Sequence, residues 1–149
     1  NDFFNEVQFF DFADKRNPPE RGPDYLLLLI ENTRNPLALY QPSIEHLDNS
    51  PQMAIRSCRN LQIHGLKFES QRELLAIDNS SNVVIFGGSG NYGIDTEDDR
   101  GIVVIRDSAP LFIANLNRRP IMGELPSHWI VDGEVRVSDA YALTLYWKR

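Results

Sequence analysis

The sequence has little of what disulfide frameworks, zinc sites and membrane spans require. Its single cysteine, Cys58, excludes an internal disulfide and a zinc site built from several cysteines. The longest aliphatic run, residues 26–30, has the length of a strand, whereas a membrane-spanning helix needs roughly 18 apolar residues. Lysine and arginine form no block, and the net charge of −6 argues against a nucleic-acid partner. The 149 residues fit one domain with its own core and no membrane span.

The signatures of common catalytic machinery are also missing. The sequence contains no Gly-x-Ser-x-Gly and no His-Glu-x-x-His motif. His46, His64 and His128 are scattered and show no metal-ligand spacing, so no metal site is predicted from them. His64 remains a candidate substrate contact, acid or base, against the alternative of a structural histidine.

What the sequence does contain is an internal repeat. Residues 54–63, 76–85 and 104–113 align without gaps, and each has an aliphatic residue, a polar turn and an aliphatic–x–aliphatic strand. Residues 29–39 fit with one extra turn residue, and the second strand recurs at residues 7–9 and 135–137. The second strand returns every 22 to 30 residues, which is typical of a solenoid whose parallel strands stack about 4.8 Å apart.

Period-two alternation within the repeat predicts three inward-facing columns. The columns are Val7, Leu37, Leu61, Val83, Leu111 and Val135; Phe9, Leu39, Ile63, Ile85, Ile113 and Val137; and Ile30, Ile55, Ile77 and Ile105. We therefore expect an all-β fold, a right-handed parallel β-helix of about five to six coils that forms one domain over residues 1–149. A β-sandwich would instead need hairpin turns such as Asn-Gly at short intervals, and none is apparent.

Asparagines stand near the start of the second strand in three coils. They are Asn35, Asn60 and Asn82, and their side chains suit both left-handed turns and hydrogen bonding along the stack. Pro110 takes this position in the next coil, so the asparagine ladder is predicted to stop there.

Charges of alternating sign follow the isoleucine column on the outward side. They are Glu31, Arg56, Asp78, Arg106 and, if Val131 aligns, Asp132. One interpretation is an ionic ladder that fixes the register of the strands. The other is a substrate stripe in which Arg56 and Arg106 bind a uronate.

Two further outward columns are unusually apolar. They are Phe10, Tyr40, His64, Phe86 and Ala114, and Gln8, Ala38, Gln62, Val84, Phe112 and Arg136. An apolar face of this kind indicates an interface. Three alternatives fit such a face: another part of the same protein packs over it, a second subunit contacts it, or sugars stack on its aromatic rings.

The longest coil is predicted to carry a loop over residues 87–100, rich in glycine and in acids. The candidate catalytic acids are Asp95, Glu97, Asp98 and Asp99. Paired carboxylates suit glycoside hydrolysis, the same oxygens suit calcium, and a solvated acidic loop is the plain alternative. Tyr92 is a candidate substrate contact there. Calcium is the only cofactor that the sequence suggests.

Two other insertions are predicted, at residues 14–24 and 117–129. The first is rich in proline, which indicates a surface excursion. The second contains Trp129 close to His128, Glu124 and arginine, a composition that suits a sugar subsite. Trp129 is therefore a candidate substrate-binding residue, with core packing as the alternative.

Three sequence segments resemble those of the pectate-lyase-like superfamily of right-handed β-helices. They are Asn-Leu-Gln-Ile-His-Gly-Leu-Lys-Phe at 60–68, Ser-Asn-Val-Val-Ile-Phe-Gly-Gly at 81–88 and Gly-Ile-Val-Val-Ile-Arg-Asp-Ser-Ala-Pro at 101–110. The resemblance covers roughly residues 26 to 115. It implies a β-helix that acts on polysaccharides as a lyase or hydrolase. The Asn-Thr-Asp and Gly-His-Gly motifs of polygalacturonases are not found, nor is a pectate-lyase calcium cluster, so no catalytic residue is carried over.

We expect this chain to be the carboxy-terminal part of a longer β-helix, because no amphipathic cap precedes the first coil. The expected function is that of a secreted or cell-surface enzyme that degrades a polysaccharide. The alternative is a non-catalytic β-helix of a tailspike, adhesin or other carbohydrate-binding protein. The expected partners are a polysaccharide or oligosaccharide, and the remaining coils or a second copy of the chain.

Overall fold

The computed structural model describes residues 26–44, 51–70, 73–92, 103–120, 127–138 and 145–148. This part of the chain is all-β, as predicted, and none of its described residues lies in a helix. A helix suited to crossing a membrane is accordingly not found among them. The strands are β1 (Leu28–Glu31), β2 (Leu37–Tyr40), β3 (Ser43–Ile44), β4 (Met53–Arg56), β5 (Arg59–Ser70), β6 (Leu75–Asp78), β7 (Ser81–Tyr92), β8 (Val103–Arg106), β9 (Leu111–Pro120), β10 (Ser127–Val131), β11 (Glu134–Ser138) and β12 (Leu145–Lys148).

The strands form two sheets that the chain visits alternately. The first sheet has the order β1-β4-β6-β8-β10-β11, and the second has the order β12-β9-β7-β5-β2, with β3 also paired to β5. Strands β1, β4, β6, β8 and β10 are parallel neighbours, and so are β2, β5, β7 and β9. Each return to a sheet therefore adds one strand beside the previous one.

The predicted inward columns are confirmed from β1 and β2 through β8 and β9. Ile55 pairs in register with Ile30 and Ile77, and Ile77 pairs with Ile105. The paired columns of the second sheet are Leu37, Leu61, Val83 and Leu111, and Leu39, Ile63, Ile85 and Ile113. Most of these side chains are fully buried and belong to one apolar core. Burial of aliphatic surface on this scale is the main term that stabilises the fold.

The long strands β5, β7 and β9 each turn a corner. Gly65, Gly87 and Asn115 have positive φ at equivalent places, where the pairing register skips one residue. Before the corner of β5 the inward residues are odd-numbered, ending at Ile63; after it they are Leu66 and Phe68. The corner therefore gives the core a further side, to which β3 adds the buried Ile44.

Small buried residues form a ladder at the turn between the two sheets. The Ser80 hydroxyl accepts a hydrogen bond from the Cys58 N–H at 3.0 Å, and the Ser108 hydroxyl accepts one from the Ser80 N–H at 3.0 Å. The Cys58 thiol itself donates to the carbonyl of Ile30 at 3.3 Å. The only cysteine of the sequence is thus a buried part of the turn stack.

Replacing Ser80 with alanine is expected to lower the free energy of unfolding by about 1–3 kcal/mol, because the buried Cys58 N–H loses its acceptor. Urea denaturation followed by far-UV circular dichroism measures this loss. The control is Ser81→Ala, at the next and less buried position. Equal stability of the two variants would contradict the ladder.

The sequence prediction for residues 135–137 is wrong. Val135 and Val137 were expected to continue the second-sheet columns, but β11 runs antiparallel to β10 in the first sheet. Asp132 and Gly133 both have positive φ and close a two-residue hairpin between Val131 and Glu134. Asp-Gly is a strong signal for such a turn and was overlooked. The second sheet ends instead on β12, which is antiparallel to β9.

Two predicted loops are shorter than expected. The loop predicted at residues 87–100 was placed too early in the sequence, because β7 continues to Tyr92 and Gly88 pairs with Leu66. The insertion at 117–129 is also too long, since β9 continues to Pro120 and β10 begins at Ser127. The predicted coil at 7–9 and the insertion at 14–24 lie outside the described residues.

Candidate functional site

The charged stripe lies on the outward side of the first sheet, in the predicted order. Arg56 is in register with Glu31 and Asp78, and Asp78 is in register with Arg106. Arg106 donates to an Asp78 carboxylate oxygen at 2.9 Å. Val131 aligns with Ile105, as expected, and the carboxylate of Asp132 accepts a hydrogen bond from the Asp107 N–H at 2.9 Å. This geometry favours the ionic-ladder interpretation, because Arg106 already has an anionic partner.

A double-mutant cycle with Asp78→Asn and Arg106→Gln is expected to give a coupling of about 0.2–1 kcal/mol, since both side chains are partly open to solvent. The coupling should shrink in 1 M salt, where the Debye length is about 3 Å. Urea denaturation of the four proteins measures it. Zero coupling at low salt would mean that the pair does not help to fix the register.

Aromatic side chains form a row on the outward side of the second sheet. Tyr40, His64, Phe86 and Ala114 occupy the same register position on β2, β5, β7 and β9. They alternate with the inward residues of these strands, so their side chains point away from the core. We call Tyr40, His64 and Phe86 the aromatic row.

The aromatic row is open to solvent at both of its ends, and the next residue of the same column, Ala114, is covered. The exposed fraction is 62% for Tyr40 and 45% for Phe86, whereas Ala114 is only 5% exposed. The outward residues Ala54, Ala76 and Val104 of the first sheet, by contrast, are buried. The exposed aromatic surface therefore belongs to β2, β5 and β7. Exposed rings grouped in this way make this surface a candidate interaction site.

The rings of Tyr40 and His64 are nearly parallel, with centroids 5.2 Å apart and planes 14° apart. Carbon atoms of touching groups lie about 3.5–4 Å apart, so this centroid distance requires a sideways offset. Offset stacking leaves part of each ring face uncovered. The imidazole is also held by Gln62, whose amide oxygen lies 3.2 Å from His64 Nε2.

The residues predicted as substrate contacts are divided between the sheets. Arg56 and Arg106 lie in the first sheet, where Trp129 also pairs with Val103 and Arg136. His64 lies in the aromatic row, and Tyr92 ends β7 beside Ser70 and Pro120. The structure thus brings together only subsets of the predicted contacts.

The predicted catalytic acids Asp95, Glu97, Asp98 and Asp99 lie outside the described residues. The calcium alternative was placed on the same acids. Within the described ranges, no cluster of three or more His, Cys, Asp or Glu side chains has the geometry to hold a metal ion.

Sequence reasoning found the aromatic column but selected only His64 from it. Tyr40 and Phe86 were left out because an apolar outward face is usually covered, and their exposure cannot be read from alternation alone. The neighbouring column was confirmed for Ala38, Gln62, Val84 and Phe112. Its last predicted member, Arg136, is wrong, because Trp147 is the residue that pairs with Phe112.

Comparison with known proteins adds no relative: no protein-family model, no curated protein and no solved structure matches the chain.

Proposed function

We propose that the chain forms coils of a right-handed parallel β-helix. The support is the alternation between two sheets whose parallel strands are stacked in register. Connections between parallel strands of one sheet are right-handed in about 98% of cases, which favours this hand. The resemblance to the pectate-lyase-like superfamily agrees with the same architecture.

We further propose that the protein binds a polysaccharide or oligosaccharide on the aromatic row. The observation that carries this proposal is the exposure of Tyr40 and Phe86 on either side of His64. The C–H faces of a sugar ring pack on aromatic faces, while polar groups between the rings bind its hydroxyls. His64 supplies such a group within the row, and Gln62 supplies one beside it. A second copy of the chain is the competing occupant.

The test is affinity electrophoresis in gels that contain soluble polysaccharides, with Tyr40→Ala and Phe86→Ala beside the unmodified protein. Each substitution is expected to weaken retardation about tenfold in Kd, which corresponds to about 1.4 kcal/mol. Leu29→Ala is the matched control, because Leu29 is 42% exposed but lies in the first sheet.

Light scattering distinguishes the competing occupant. A monomer that binds a glycan through Tyr40 and Phe86 supports the proposal. The proposal would be contradicted if the protein is a dimer that the Phe86→Ala substitution dissociates, and if no glycan retards the protein in the gel.

Cleavage of the polysaccharide by a secreted or cell-surface enzyme remains a prediction that rests on Asp95, Glu97, Asp98 and Asp99. Release of reducing ends without unsaturated products indicates a hydrolase, and release of reducing ends together with the absorbance of unsaturated products indicates a lyase. Each aspartate is replaced with Asn and the glutamate with Gln. Replacement of a true acid–base residue should lower the rate of polysaccharide cleavage by about 10²–10⁴-fold. Binding without either product supports the non-catalytic alternative.

A further inference from the structure

We infer that the glycan bound by the aromatic row is uncharged, and that it lies across the strands. This inference rests on the proposed function and adds the class of ligand and its direction. Four segments pair in register before the corners, residues 37–40, 61–64, 83–86 and 111–114, and their outward residues are Ala38, Tyr40, Gln62, His64, Val84, Phe86, Phe112 and Ala114. None of these eight is aspartate, glutamate, lysine or arginine.

A polyuronate needs cations at its binding surface. Each sugar carries a carboxylate, whose partial desolvation on an apolar face is unfavourable unless a lysine or arginine compensates it. The outward residues of these four paired segments include no lysine or arginine. The exposed Arg59 lies at the start of β5, five residues before His64 and outside the segments. Arg56 and Arg106 lie on the first sheet, and Arg106 is already bound to Asp78 at 2.9 Å. The aromatic row itself therefore disfavours uronates.

The polar groups of the row suit hydroxyls. A glutamine amide both donates and accepts hydrogen bonds, and a neutral imidazole does the same. A sugar hydroxyl has the same dual character, whereas a carboxylate only accepts. Gln62 and His64, 3.2 Å apart, are thus matched to hydroxyl groups between two rings.

The direction of the ligand follows from the register. Tyr40, His64 and Phe86 stand on three adjacent strands, so the row runs perpendicular to the strands with a step of about 4.8 Å. A sugar chain that contacts all three must run along the stack. The exposed row accommodates a short oligosaccharide rather than a single sugar.

The experiment compares neutral probes, xyloglucan, mixed-linkage β-glucan and galactomannan, with the uronates polygalacturonate and alginate. We expect retardation by at least one neutral probe, lost in Tyr40→Ala and Phe86→Ala, and at least about tenfold weaker binding of both uronates. Val84→Lys, which places a cation beside the row, should strengthen uronate binding by up to about fivefold. Val84→Gln is its uncharged control.

The outcomes separate the two proposals. Uronate binding that depends on Tyr40 and Phe86 would overturn the inference and leave the proposed function standing. Binding of neutral probes that is unaffected by both substitutions, or no binding of any probe, would overturn both.

Discussion

Replacing Gly90 with alanine is expected to lower the free energy of unfolding by about 3 kcal/mol or more, the largest effect among the glycines that the structure describes. A Cβ at Gly90 would fall on the carbonyl oxygen of Phe68 and within 2.7 Å of its ring atom Cδ2. Phe68 is 1% exposed and sits at the equivalent inward position one strand earlier. Since the obstructing atom is backbone, a change of rotamer cannot remove the clash.

Gly88 repeats the effect two residues earlier, where a Cβ would lie 2.6 Å from the carbonyl oxygen of Leu66. The control is Ser89→Ala, the exposed residue between the two glycines, which should change stability by less than about 0.5 kcal/mol. Gly87→Ala distinguishes steric overlap from backbone strain. The atom nearest to a Cβ at Gly87 is 3.9 Å away, so only the φ of +71° is unfavourable there. It should cost about 1–2 kcal/mol.

Urea denaturation measures this series, and the soluble yield reports variants that fail to fold. If Gly90→Ala is insoluble, the Gly90→Ala/Phe68→Ala double variant should remain defective, because the backbone clash persists. Stability of Gly90→Ala within about 0.5 kcal/mol of the unmodified protein would contradict the close packing of β7 on β5.

The second large effect is expected from Ile85→Ala, which should cost about 2–5 kcal/mol. Ile85 is fully buried and pairs with Ile63 and Ile113 in an inward column, so truncation leaves a cavity bounded by two neighbouring strands. Val84→Ala is the matched control, because Val84 is the adjacent β-branched residue and points outward. It should cost about 1 kcal/mol or less.

The difference between these two variants tests the alternation directly. A one-residue slip of β7 would exchange the two faces, and Val84→Ala would then be the more harmful substitution. Urea midpoints measured at equal m-value decide between the two registers.

Much of the architecture was predictable because inward aliphatic residues recur at each return of the chain. Ile55, Ile77 and Ile105 define one sheet from the sequence alone, and the structure pairs them as expected. The asparagine ladder was predictable too, since Asn82 donates to the Asn60 side-chain oxygen at 2.7 Å. One coil earlier the extra turn residue breaks it, and Asn60 donates to the Arg34 carbonyl instead.

The errors have physical causes. A short apolar strand such as residues 135–137 has the same alternation in either direction, so only the preceding Asp132-Gly133 turn reveals the reversal. Gly88 and Gly90 look like loop residues in the sequence, yet glycine also marks a strand that lies too close to its neighbour for a side chain. The binding surface was harder still, because exposure depends on which parts of the chain cover each outward column.

The most direct test of the glycan-binding proposal is a titration of the ¹⁵N-labelled chain with a neutral oligosaccharide, followed by amide chemical shifts. We expect shifts at residues 38–40, 62–64 and 84–86, where three adjacent strands carry the aromatic row. The first-sheet strands β4, β6 and β8 should stay unchanged. Shifts confined to the first sheet, or none at saturating sugar, would contradict the account.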